Sequence, residues 1–157
     1  MLGLATKLLD AAKAGSRRRG REVQQLDLCY PDSILSLERP RRQGGILAGD
    51  RAPDAPIRGA GGQPARLFNL FKGAHWTLIG YGVERLSGVK PRAGLHIHAV
   101  GQLGDIAGDG GYLRHGYDLR AGDWVLVRPD GYVGAIVSSD YISALESYLD
   151  GAGLSAL

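Results

Sequence analysis

The chain has 157 residues, 44% of them hydrophobic and 22% charged, a balance and length that suit one globular domain with its own core. Its single cysteine, Cys29, excludes an intramolecular disulfide framework and a cysteine metal cluster. The net charge of +3 is uneven: residues 1–42 carry 9 Lys/Arg against 5 Asp/Glu, while residues 43–157 carry 10 against 11.

Residues 2–14 place Ala5, Leu8, Leu9 and Ala12 at helical spacing, with Gly15 as a stop. Asp10 sits among these apolar residues, so the segment lacks a signal-peptide core. No stretch of the chain approaches an uninterrupted membrane span, and a cytoplasmic location is expected. RRRGR (17–21) and RPRR (39–42) lack the interleaved aromatics of a nucleic-acid stacking platform and read as solvated flanks. Neither a nucleic-acid nor a membrane partner is expected. QLDLCYPDS alternates weakly and suggests an edge strand ahead of Pro31.

Gly and Pro crowd residues 38–66, which read as a linker that becomes extended over Ile46–Ile57. LFNLFKG (67–73) predicts a short helix or turn. HWTLIGYG (75–82) is apolar on both faces, as a central strand is, and LHIHAVG (95–101) follows as the next strand after a crossover. A long connection over 102–122 holds one helical turn near Tyr112–Tyr117. DWVLVRPDGYVGAIV (123–137) predicts a hairpin turning at Pro129-Asp130-Gly131. SSDYISALESYLDGAG (138–153) predicts a helix capped by Ser138 or Ser139, with Ile142, Leu145 and Leu149 as its stripe and Gly151 as its end. Two parallel strands, an antiparallel hairpin and a terminal helix make an α/β fold with a thioredoxin-like mixed sheet flanked by helices. The expected organisation is an N-terminal helix and basic leader over 1–42 and the thioredoxin-like domain over 43–157.

The chemistry of such a scaffold is absent from the sequence. A redox site needs a thiolate at a helix N-terminus, and the corresponding junction reads Gly82-Val83-Glu84-Arg85. The proline expected before the third core strand is replaced by Ala121-Gly122. His96 and His98 alternate onto one strand face, and His75 and His115 could complete a metal site, so a small metal-binding protein or enzyme using His75, His96 and His98 is the alternative reading. GDIAGDGG (104–111) does not follow a strand and open a helix as a dinucleotide fingerprint does. No catalytic, cofactor-binding or metal residue is assigned.

In this order, LDLCYPDS, AGDRAPDAPI, RLFNLFKGAHWTLIGYG and DWVLVRPDGYVGAIV resemble the C-terminal domain of FAD-dependent aromatic-ring hydroxylases, the phenol-hydroxylase-like and polyketide-hydroxylase-like flavin monooxygenases. The resemblance covers about residues 26–150. It implies a thioredoxin-like domain without redox cysteines that serves packing and dimer contacts. The family's Gly-rich FAD fingerprint and second flavin segment are not found here, and Met1 falls near where the family's flavin domains finish. The expectation is therefore a non-catalytic domain, not an enzyme on its own, binding no FAD itself. It would associate as a homodimer or with a flavoprotein partner, as the detached part of a split flavin monooxygenase.

Overall fold

A computed structural model describes residues 35–83, 88–102, 104–108 and 110–157. The predicted N-terminal helix, the RRRGR tether, Cys29 and the LDLCY strand lie outside these residues. The described chain forms β1 (Leu37–Arg39), β2 (Pro56–Gly59), β3 (Pro64–Arg66), α1 (Leu67–Leu70), β4 (Trp76–Tyr81), β5 (Leu95–Val100) and β6 (Ile106–Gly108). It continues as α2 (Tyr112–Tyr117), β7 (Asp123–Val127), β8 (Val133–Ser138), a 3-10 turn (Ser139–Tyr141) and α3 (Ile142–Gly151). All eight strands join one mixed sheet in the order β1-β8-β7-β4-β5-β6-β2-β3.

The predicted directions hold. β4 and β5 are parallel, with Trp76 opposite Leu95 and Tyr81 opposite Val100. β7 runs antiparallel to both β4 and β8. Strand alternation divides the core between two faces. On one, Ile79, Val125, Val127 and Ile136 pack with Leu113 and Tyr117 of α2 and Leu67 of α1. On the other, Leu78, Trp124, Leu126 and Val137 pack with Leu145 and Leu149 of α3. The sheet is thus covered on both sides by helices, as its apolar central strands require.

The β7–β8 turn forms at the predicted residues. Gly131 N–H donates to Arg128 O and Arg128 N–H to Tyr132 O, closing a three-residue loop with Gly131 at φ +83°. Gly131→Val should therefore cost about 1 kcal/mol or more, because a β-branched residue is strained in the left-handed region. Arg128→Ala, which removes an ion pair with the half-exposed Asp130, should cost about 0.5 kcal/mol. Urea midpoints of the two variants test this, and equal midpoints would contradict it.

Several expectations need correction. Ser138 and Ser139 do not cap α3: Ser139 Oγ instead donates to Gly122 O at 2.8 Å and accepts from Trp124 Nε1 at 3.2 Å. The helix runs through Gly151 and stops at Gly153 (φ +84°), where Gly153 N–H reaches Asp150 O and Leu154 N–H reaches Leu149 O. The Gly/Pro-rich stretch is not only a linker. It folds β2 and β3 into an edge hairpin and buries Ala48, Ala52, Ala55 and Ile57. Sheet also reaches into the segment read as leader, since Leu37–Arg39 pairs in parallel with Ala135–Val137. In RPRR, Arg42 is no solvated flank. Its guanidinium donates to Tyr117 O at 2.9 Å and Asp118 O at 2.5 Å, satisfying carbonyls at the end of α2.

Candidate functional site

The histidines singled out by sequence lie along the β4–β5 pair. Alternation puts His96 and His98 on the same face, opposite Thr77 and Ile79. His75, just ahead of β4, stacks on His96 with ring centroids 3.8 Å apart, and its Nε2 meets Leu70 O at 2.9 Å. Desolvation lowers the His96 pKa, with further lowering from the neighbouring His75 and His98, so the neutral ring is favoured.

His98 has a different partner. Its Nδ1 lies 2.7 Å from Asp105 Oδ2, and Asp105 Oδ1 accepts the Ala99 N–H at 2.7 Å. His115 is on α2, with Nδ1 at 2.8 Å from Gly111 O. Among the described residues, no three His, Cys, Asp or Glu side chains come together where they could hold a metal ion. The proposed set of His75, His96, His98 and His115 is thus not assembled: alternation brings the first three onto one strip, but a carbonyl and a carboxylate engage two of them.

The sequence gives no signal for Asp105: GDIAGDGG reads only as a loop that fails the dinucleotide fingerprint. Burial raises its pKa, but the His98 hydrogen bond and the Ala99 N–H outweigh that and bring it below the ordinary value of 3.8. The sign follows from proton uptake. Above pH 3.8 the carboxylate contributes its full stabilisation, which is lost as pH falls below that value, where the unfolded chain protonates first. Asp105→Asn should cost about 1 kcal/mol at neutral pH for this half-screened pair and flatten the acid limb of the stability profile. Thermal melts between pH 7 and pH 3 test it; an unchanged acid limb would contradict the assignment.

Of the positions that would carry redox chemistry, Gly82 and Gly122 hold backbone contacts, and Glu84 and Arg85 lie outside the described residues. After β4 the chain turns at Gly82, whose N–H donates to Val100 O. Ahead of β7, Gly122 N–H donates to Tyr81 O, and Gly122 O accepts from Ser139. Beside this end of the sheet lies a cleft of about 760 Å³ lined by Arg39, Arg41, Arg42 and Arg120 together with Asp118 and Asp123. The mixed signs, and the 3.5 Å pairing of Arg42 with Asp123, do not make an anion site. Among the described residues, the exposed large apolar side chains Phe68, Tyr112, Tyr141 and Leu157 sit on four separate segments.

What the described residues define is a mixed α/β domain whose polar side chains chiefly hold its own backbone. Comparison with known proteins gives the particular kinship. Residues 96–156 match the model of the family described as "Phenol hydroxylase, C-terminal dimerisation domain". Over 139 residues the chain is 30% identical to a flavin-dependent monooxygenase of Mycobacteroides abscessus, an alignment covering 88% of this chain and 25% of that protein. The fold is shared with the flavin-dependent monooxygenase PieE, solved with FAD and substrate, at a TM-score of 0.56 and 20% identity, covering 71% of this chain and 20% of that one. It is also shared with aklavinone-11 hydroxylase, solved with FAD and aklavinone, at a TM-score of 0.52 and 21% identity, covering 76% and 26%. The chain spans about a quarter of the length of the curated relative it matches. The resemblance read from the sequence is borne out: this chain is similar to a phenol hydroxylase C-terminal dimerisation domain over residues 96–156 and to flavin-dependent monooxygenases.

Proposed function

We propose that this chain is a non-catalytic, thioredoxin-like association domain of a flavin-dependent monooxygenase, and that it works by pairing with a second copy of itself. The observation that carries this reading is the match of residues 96–156, from β5 through α3, to a dimerisation-domain family. The central strand order β5-β4-β7-β8 with α3 on one face supports the thioredoxin-like label. The domain is proposed to begin before β1 rather than at residue 43, because Leu37–Arg39 completes the sheet. Flavin and substrate chemistry would then belong to flavin domains, whether in the same polypeptide or in a flavoprotein partner. A cytoplasmic location is part of the proposal; among the described residues no helix is long and apolar enough to cross a membrane.

The test is light scattering of the purified chain from low to high micromolar concentration, combined with a flavin absorbance spectrum and a dithiol-dependent insulin reduction assay. The reading expects a dimer, no stoichiometric flavin and no reductase activity. A strict monomer, a persistent flavin spectrum, or reductase activity lost on Cys29→Ser would contradict it.

A further inference from the structure

The sheet has an internal edge. β5 pairs with β4 along all six of its residues, but β6 joins it only at Val100 opposite Ile106. Among the described residues no strand lies beside Leu95–His98 on the outer side. The direction of the backbone groups follows from the hydrogen bonds at each end. Gly94 O accepts from Trp76 N–H and Val100 O from Gly82 N–H, so the even-numbered residues of β5 face β4. Ala99 N–H, an odd-numbered group, points outward and is capped by Asp105. By strand alternation the N–H and C=O of Ile97 also point outward, into the open stretch.

We propose that this edge is where two copies of the chain meet, joining antiparallel about a two-fold axis at Ile97. The inference rests on the reading that the chain dimerises. A two-fold axis at Ile97 lets each copy donate the Ile97 N–H to the Ile97 carbonyl of the other, the self-complementary pairing an isologous contact needs. His96 of one copy then stands opposite His98 of the second, on the same face as the stacked His75. The Asp105 cap closes the edge beyond His98, which stops slippage to a longer register. The family match begins within this strand, at His96.

Two measurements on the full chain test this. Ile97→Pro removes the outward N–H without breaking a bond to β4, since proline is tolerated where a strand's N–H faces away from its partner. It should leave a folded protein by circular dichroism and raise the dimer dissociation constant roughly 10-fold or more. Independently, amide exchange at Ile97 in the wild type should slow as concentration rises through the dimer transition, a readout that does not need the variant to fold. Unchanged dimer affinity in a folded Ile97→Pro protein, or Ile97 exchange that ignores concentration, would overturn the edge while leaving the dimerisation reading standing. Constant protection would mean another part of the chain covers the strand. A wild-type protein that is monomeric throughout would overturn both.

Discussion

Trp124→Ala should be the most damaging single truncation in the described fold, lowering unfolding free energy by about 3–5 kcal/mol. The indole is fully buried on β7, between Leu78, Val137 and Leu145 in the same cluster. Its Nε1–H donates to Ser139 Oγ, which in turn donates to Gly122 O. Truncation therefore opens a cavity and removes one of the links between the start of β7 and the turn into α3. Collapse around the cavity is restricted because both neighbouring strands hold the site: Gly80 lies opposite Trp124 on β4 and Val137 on β8. Urea denaturation measures the loss. A fall under about 1 kcal/mol, the level of an ordinary surface change, would mean the core is not organised around this residue.

Arg92→Ala should cost about 3 kcal/mol, as expected when one partner of a buried ion pair is removed. The guanidinium is almost wholly buried and contacts Glu146 Oε2 at 2.5 Å, Asp150 and the Leu154 carbonyl. It thereby ties the crossover segment before β5 to α3 and to the chain beyond it. Arg92 also bridges to Ala156, and Leu157 N–H donates to Pro91 O. Loss of the side chain leaves Glu146 and a carbonyl short of a donor and removes the side-chain hold on Leu154, leaving only backbone contacts to the last residues. Thermal unfolding checks the size of the effect, and limited proteolysis should cut the variant near its C-terminus before the wild type. A variant as stable and as resistant as the wild type would contradict this role.

What could be read in advance divides along physical lines. β4, β5, β7, β8 and α3 announce themselves through period, because each buries a continuous apolar face and periodicity records burial. Ile142, Leu145 and Leu149 follow the same rule. The Asp130-Gly131 turn was legible because its chemistry is local. The β2–β3 hairpin was not: Gly59, Gly62 and Pro64 read as a linker, and only pairing with β6 makes their segment a sheet edge. Ser139 looked like a cap, but a tertiary contact with Gly122 and Trp124 claimed its hydroxyl. Arg92 and Asp105 share this pattern, since their partners lie far off in sequence or across a turn and no spacing rule reports them. The histidine strip was half legible: alternation placed His96 and His98 together, but the stacking of His75 and the capture of His98 by Asp105 depend on register. The families' shared motifs carried what periodicity did not, namely the kinship with flavin-dependent monooxygenases.

Association is the centre of the account, and sedimentation equilibrium of the 157-residue chain tests it most directly. The account predicts a molar mass rising to twice the 16.7 kDa of one chain as concentration increases, with a single monomer–dimer equilibrium describing the data. A mass that stays at one chain across the whole micromolar range would contradict it.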